Sequence, residues 1–369
     1  MQISSPAPAG GVDIALASSN PSFVTLQAPT VHINAGATTT NAVLNGVLPG
    51  PSNVTASNAA YTPDTAAVTT AASLNIVQPS ASLSASFGTT VTVQFESNNI
   101  GIAAPSPGVV VTLVATDAGC LAVPASLTIP TGLVSCTPNL TYGGSTALPC
   151  TTKLKVTAPN IQPDSINVTV NPVPPINFAN NTVGAGLMVN IGASLGASNH
   201  GGTTVTLTSL DPTLMLVAPN ATTTATTSFT TFVSNGSTFF SGYLHGVSGQ
   251  TGNARLELKA PGFATDTATI TVAQPAADII FLATTTTSLS PNSFFQIRTG
   301  VPNPTHTGMS LEQTVRFGIP GFVATINNSA AAVARLAAQT DTAQSETLTI
   351  QPGLARSAST APTGGVEFD

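Results

Sequence analysis

The amino-acid sequence predicts an all-β protein made of tandem β-sandwiches set end to end, and three observations predict it. First, two landmarks recur in one register. Gly11-Val12-Asp13-Ile14-Ala15-Leu16 returns as Gly108-Val109-Val110-Val111-Thr112-Leu113 and again as Gly202-Thr203-Thr204-Val205-Thr206-Leu207. Tyr61-Thr62-Pro63-Asp64-Thr65 returns as Ile161-Gln162-Pro163-Asp164-Ser165 and as Phe263-Ala264-Thr265-Asp266-Thr267, with acidic positions 100 and 102 residues apart. That spacing is a domain's length, not a solenoid's. Second, charged residues make up 6% of the chain while hydrophobic residues make up 42%, so Thr, Ser, Asn and Gly stand where charges normally would. Low charge with ample apolar content suits half-buried strands rather than disorder. Third, short runs alternate apolar and polar residues with period two between Gly, Pro and Asn turns.

The elements follow in order within each copy. An opening strand pair is expected at Leu74–Ile76 and Val91–Phe95, at Ile176–Phe178 and Met188–Ile191, and at Ile279–Phe281 and Phe294–Ile297. The Gly landmark then supplies a strand, with Val93, Phe95, Val111 and Leu113 expected in the core of the second copy. Turns follow at Ser19-Asn20-Pro21-Ser22, Thr116-Asp117-Ala118-Gly119 and Leu210-Asp211-Pro212-Thr213, where side-chain oxygens can hold nearby backbone N–H groups. Two final strands close the unit, the last carrying Asp64, Asp164 or Asp266. Boundaries fall near 73, 174 and 275, giving a partial domain at 1–73, complete ones at 74–174 and 175–275, and a partial one at 276–369. Pro-containing junctions such as Asn171-Pro172-Val173-Pro174-Pro175 are short and stiff. The first copy has no opening pair before Gly11, and the tail Gly365-Val366-Glu367-Phe368-Asp369 matches stretches that precede the final two strands. Either the chain is a window on a longer polypeptide, or a neighbouring subunit supplies the missing strands.

The stretches VTLTSLDPTLMLVAP, LELKAPGFATDTATITV and VVVTLVATDAGCLAVPASLTIP resemble bacterial immunoglobulin-like repeats, the tandem modules of invasin- and intimin-type surface adhesins and of many large secreted proteins. The resemblance covers most of residues 11–275. It implies tandem immunoglobulin-like β-sandwich domains of about seven strands and an extracellular or cell-surface location. The chain has no Trp, unlike antibody-type domains.

Placed in such a sandwich, Cys120 and Cys136 fall at one end and Cys150 at the other. That favours a Cys120–Cys136 bridge, with Cys136–Cys150 as the alternative; three cysteines leave one thiol over.

No chemistry converges elsewhere. His32, His200, His245 and His306 show no metal-ligand spacing and are expected as solvated loop or strand residues. Asp64, Asp164 and Asp266 recur without a recurring partner, which favours a turn role over a repeated carboxylate site, with Tyr61, Ile161 and Phe263 closing the sandwich end. The acidic residues form no calcium cage, and no nucleophile elbow or phosphate loop occurs. No enzyme activity, cofactor or metal is therefore expected. Eight basic residues in a chain of net charge −6 offer no patch for nucleic acid; Lys153, Lys155, Arg255 and Lys259 are read as lying at one sheet edge region. No run suits a transmembrane helix, and Met1–Pro8 has neither a basic region nor an apolar stretch of the signal-peptide kind. Seven Asn-x-Ser/Thr sequons, at Asn53, Asn139, Asn167, Asn180, Asn220, Asn235 and Asn327, are compatible with glycosylation.

The expected function is an extracellular structural protein forming a stalk, sheath or filament, with other copies of itself as partners through end-to-end or strand-complementing contacts. The alternatives are an adhesin-like array binding glycans or a receptor, which asks for an aromatic-lined groove, and an accessory region of a large secreted enzyme.

Overall fold

The computed structural model describes every residue of the chain except Ser288 and Ala331. The protein is all-β, and a short 3-10 turn at Ala361–Thr363 is the one helical element among the described residues. The chain forms two compact units, Met1–Pro172 and Val173–Asp369. Each carries two copies of the repeat.

The second copy shows the sandwich in full. One sheet runs in the order Ser80–Ser84, Ile161–Asn171, Cys150–Ala158, Val109–Ala115, Ser126–Ile129. The facing strands are Ser73–Ile76 beside Val93–Ser97, and Thr89–Thr90 beside Asn139–Tyr142 and Leu121–Ala122. The opening strand changes sheets part-way: Ser73–Ile76 runs antiparallel to Val93–Ser97, and Ser80–Ser84 then runs parallel to Asn167–Asn171. This is an immunoglobulin-like sandwich. Strict alternation sets the register, since Val109, Val111 and Leu113 point inward while Val110, Thr112 and Val114 face water. Val93, Phe95, Val111 and Leu113 share one core.

The third copy repeats the plan. Ile176–Phe178 pairs with Leu187–Leu195, and Asn181–Gly184 runs parallel to Ile270–Ala273. All three landmark glycines start their strands from a left-handed backbone, with φ of 76°, 106° and 94° at Gly11, Gly108 and Gly202. At Gly108 a Cβ would also lie 2.7 Å from the Ile129 carbonyl oxygen, so sterics and dihedral both demand glycine.

The turn after the landmark strand is equally regular. The N–H groups of Ser19, Thr116 and Leu210 donate to the carbonyls of Asn53, Lys153 and Arg255 at 2.8–2.9 Å. A helical-type turn follows, and Val24, Leu121 and Met215 drop from it into the core. Lys153, Lys155, Arg255 and Lys259 do not lie at an edge, as the sequence suggested. They sit on Cys150–Ala158 and Gly252–Lys259, each flanked by strands on both sides, and point outward.

The first and fourth copies depart from the plan. The first keeps the sheet Thr30–Ile33, Val12–Ser18, Gly50–Asn58, Tyr61–Thr70, but faces it with only Val24–Leu26 paired to Leu44–Gly46 and with the extended residues after Met1. There Ile3 and Ala7 are buried, and the Ile3 N–H donates to the Thr38 carbonyl at 2.9 Å. In the fourth, Ala276–Ile280 pairs with Gln296–Pro302, and Glu367–Phe368 pairs with Ser293–Phe294. That tail also pairs with Leu336–Ala337, so it is flanked on both sides as Tyr243–His245 is by Leu187–Leu195 and Met215–Ala218 in the third copy.

Candidate assembly edges

The recurring aspartates lie in strands and bind their immediate neighbours. Asp64, Asp164 and Asp266 each accept the N–H of the next residue through Oδ1, at 2.9, 2.7 and 2.8 Å. The sequence reading expected a turn at these positions; the three aspartates instead lie within Tyr61–Thr70, Ile161–Asn171 and Asp266–Ala273. Asp164 adds a second role, since its Oδ2 accepts the Ile76 N–H at 2.7 Å and ties the opening strand to the last strand. Tyr61, Ile161 and Phe263 pack at the sandwich ends as expected, with Phe263 buried and the other two half-buried. Among turn carboxylates, the Thr146 hydroxyl holds Asp117 below the usual range, helped by the Gly119 and Cys120 N–H groups. Arg255 does the same for Asp211.

The histidines are not uniformly solvated. His32 and His306 are exposed or nearly so, and His32 Nδ1 lies 2.7 Å from Asp13 Oδ1. His200 is buried edge-on to Phe263. Its Nδ1 accepts the Gly202 N–H, so Nε2 carries the proton toward the Ser237 carbonyl at 2.9 Å. His245 is wholly buried, and neither ring nitrogen has a hydrogen-bond partner among the described residues. Burial, and secondarily the Arg316 charge, lower its pKa to about 4. No group of three or more His, Cys, Asp or Glu residues is placed to hold a metal among the described residues.

The cysteine pairing overturns the sequence reading. Cys120 and Cys150 form the disulfide, with Cα atoms 6.0 Å apart, and Cys136 is a free, buried thiol whose pKa burial pushes up. Val109–Ala115 and Cys150–Ala158 are antiparallel, so the turn after the first strand returns to the start of the second. Thr116 and Asp117 donate to Lys153 O and Thr152 Oγ1 there, which brings Cys120 beside Cys150. The other copies fill the same slot without sulfur. A Cβ on Gly50 would lie 2.7 Å from the Phe23 ring, and one on Gly252 would lie 3.7 Å from Leu214 Cδ1. Phe23 over Gly50, Cys120–Cys150 and Leu214 over Gly252 are three versions of one clasp between the facing sheets.

The copies also differ in how their strand edges are covered. In the second and third copies, the outer edge of the last strand is covered in parallel by Ser80–Ser84 and by Asn181–Gly184. In the first copy, Tyr61–Thr70 pairs with Gly50–Asn58, and no strand covers its other edge among the described residues. Beside the start of that strand opens a cavity of about 300 Å³, lined by Ile3, Ile14, Ile33, Ala56, Tyr61 and Asp64 among others. The equivalent region of the second copy is a closed core that includes Leu74 and Phe95. At the far end of the sequence, Leu289 is 94% exposed. In the third copy, Phe178 and the exposed Phe239 flank an open groove with Asn177, Ser194 and Asp266.

No family model matches this chain, and no curated protein does either. Among solved structures it is similar to an adhesin of Yersinia pseudotuberculosis, InvE, at 15% identity over 55% of this chain and 58% of that one, with a TM-score of 0.22. A two-domain immunoglobulin fragment of DIP-gamma matches at 11% identity over 54% of this chain and 96% of its own, TM-score 0.22. The ectodomain of a teleost fish polymeric immunoglobulin receptor matches at 11% identity over 55% and 99%, TM-score 0.21. The match thus spans little more than half of the adhesin's length. At these scores the likeness assigns neither a family nor a function. No helix among the described residues is long and apolar enough to cross a membrane.

Proposed function

We propose that this chain is a non-enzymatic structural subunit of an extracellular or cell-surface stalk, sheath or filament, of the bacterial immunoglobulin-like repeat kind. The observation that carries the reading is the uncovered outer edge of Tyr61–Thr70, set against the covered edges of the same strand in the next two copies. An unpaired row of N–H and C=O groups is a template for another strand, and soluble monomers usually blunt such edges with charge, Pro or a bulge. From Thr65 to Ala71 this edge carries no charge and no Pro. Assembly through backbone edges needs no cofactor, nucleic acid or membrane insertion. Low charge and Thr-rich outer faces fit a surface that packs against copies of itself.

Sedimentation velocity and negative-stain electron microscopy of the purified chain test the reading. Concentration-dependent oligomers or filaments are expected; a monomer at all concentrations up to its solubility limit overturns it. A second reading, carbohydrate or receptor binding, rests on the groove between Phe178 and Phe239, where an apolar ring face adjoins Asn177 and Asp266. Glycan-array binding that is lost in Phe239→Ala would favour it.

A further inference from the structure

The groove on the third copy brings an exposed aromatic ring together with unengaged polar groups. We propose that it binds a neutral hexopyranose unit of a glycan, with the sugar ring stacked on Phe239 and its hydroxyls held by Asp266 and Asn177. This deepens the second reading above, carbohydrate or receptor binding at this groove, and rests on it.

Strand register builds the site. Asn177, Ser194 and Phe239 lie opposite one another on three neighbouring strands. Their neighbours Ile176, Ala193, Leu195 and Phe240 are buried, so this row faces outward. The second copy carries Asn75, Gln94 and Ser135 in the same row, with no ring among them. Phe239 is 64% exposed, and its ring edge lies over Gly192, where a Cβ would come 3.0 Å from Cε2. The backbone at Gly192 is not left-handed, so space rather than dihedral calls for glycine there. The second copy has Thr92 at that position. A glycine inside a strand weakens it and often marks the close approach of a ligand.

The polar groups of the groove differ from their counterparts in the same sense. In the second copy Asp164 uses both carboxylate oxygens, the second accepting the Ile76 N–H at 2.7 Å, and Asn75 Nδ2 donates to Glu96 Oε2 at 3.3 Å. In the third, Asp266 Oδ1 accepts the Thr267 N–H at 2.8 Å. Among the described residues, Asp266 Oδ2, the Asn177 amide and the Ser194 hydroxyl make no hydrogen bond. All three residues line the groove with Phe178 and Phe239. Its volume of about 740 Å³ lies within the range of small-molecule sites, roughly 300–1,000 Å³. A carboxylate and an amide between them accept from and donate to sugar hydroxyls, while the C–H face of a pyranose covers an aromatic ring. Asp266 is the one charged residue lining the groove among the described residues, so an acidic sugar is repelled. With an amide and a hydroxyl beside that carboxylate, a polyol engages more of the site than a simple cation does.

The test titrates the whole chain with cellotriose, maltotriose, mannotriose and N-acetylchitotriose, with sialyllactose, and with the glucosamine trimer, after a glycan-array survey. Neutral glycans should bind. Phe239→Ala and Asp266→Asn should each weaken binding about tenfold or more. Phe239→Trp should retain it, and Phe232→Ala, which removes a comparably exposed ring on another strand, should leave it unchanged. Asp266→Asn keeps the oxygen that holds the Thr267 N–H, so its melting temperature should match the wild type. Binding that is lost in Phe239→Ala but indifferent to Asp266→Asn would overturn this assignment and leave the groove reading standing. A preference for sialyllactose or the glucosamine trimer over every neutral glycan would do the same. No glycan binding, or binding that Phe239→Ala does not weaken, would overturn both this proposal and the carbohydrate half of the reading it rests on.

Discussion

Tyr61–Thr70 and Ile161–Asn171 are the same strand in adjacent copies, and only the second is covered. Covered, the strand buries Ile166, Val168 and Val170 against Leu154 and Val156, all in one closed core. Uncovered, it presents Ala66, Val68 and Thr70 at those positions, smaller and partly polar. The difference teaches how a β-sandwich tolerates an open edge. Apolar area is cut back where nothing shields it, with one half-buried valine kept and no charge added from Thr65 to Thr70. The clasp between the sheets varies in the same way, as Phe23 over Gly50 in the open copy and as Cys120–Cys150 in the covered one.

The clasp gives the largest expected effect. The bridge closes a loop with a sequence separation of 30, so Cys120→Ala with Cys150→Ala should cost the second copy about 3–4 kcal/mol on chain-entropy grounds. Calorimetry with and without reductant would read it as a lowered transition in one part of the melt. The first copy has no sulfur to lose and should be indifferent to reductant. A reductant effect spread over the whole melt would show that the two copies do not unfold separately and would break the comparison.

Acid should act on the other unit. His245 is neutral when folded, with its pKa lowered to about 4, while the unfolded chain takes up a proton near 6.5. Stability is therefore fully present above about pH 6.5 and falls as the pH drops toward 4, by on the order of 3 kcal/mol. The loss should fall on Val173–Asp369, where Arg316 lies near the ring and Gln313 holds Gly184 N–H and Thr182 O at 2.7 and 2.8 Å. Hydrogen exchange at pH 7 and pH 4.5, corrected for intrinsic rates, would locate it. A His245→Phe variant that keeps the full acid dependence would assign that dependence elsewhere.

Much of this fold was legible, and the failures have physical causes. Val12–Ser18, Val109–Ala115 and Thr203–Ser209 read clearly because each has one dry and one wet face, so period two appears in the letters. His245 was misread because Leu244, His245 and Gly246 are buried in succession; a strand covered on both faces loses its alternation. The disulfide was misread by counting strands from one end of the sandwich to the other. Aligning the copies instead places Cys120 with Phe23 and Leu214, and Cys150 with Gly50 and Gly252, and the pairing follows from that alignment. The open edge was visible as a missing strand pair, but the exposure of Leu289 needed coordinates, since an apolar letter does not say whether it is covered.

The smallest effect is the most discriminating, because it changes one residue type at one slot. Val168→Ala removes a fully buried side chain beneath Ser80–Ser84 and should cost about 2 kcal/mol. Val68→Ala removes the same atoms from the open edge, where they are already half in water, and should cost under about 0.5 kcal/mol in the free chain. Under assembling conditions the second value should rise toward the first, since a docked strand would bury Val68 as Ser80–Ser84 buries Val168. Measuring both variants below and above the assembly concentration therefore separates two properties of the strand. Equal costs at low concentration would mean that the edge of the first copy is already covered in the free molecule. Unequal costs that stay unequal on assembly would mean that copies meet elsewhere. Convergence is the result that places the incoming strand on this edge.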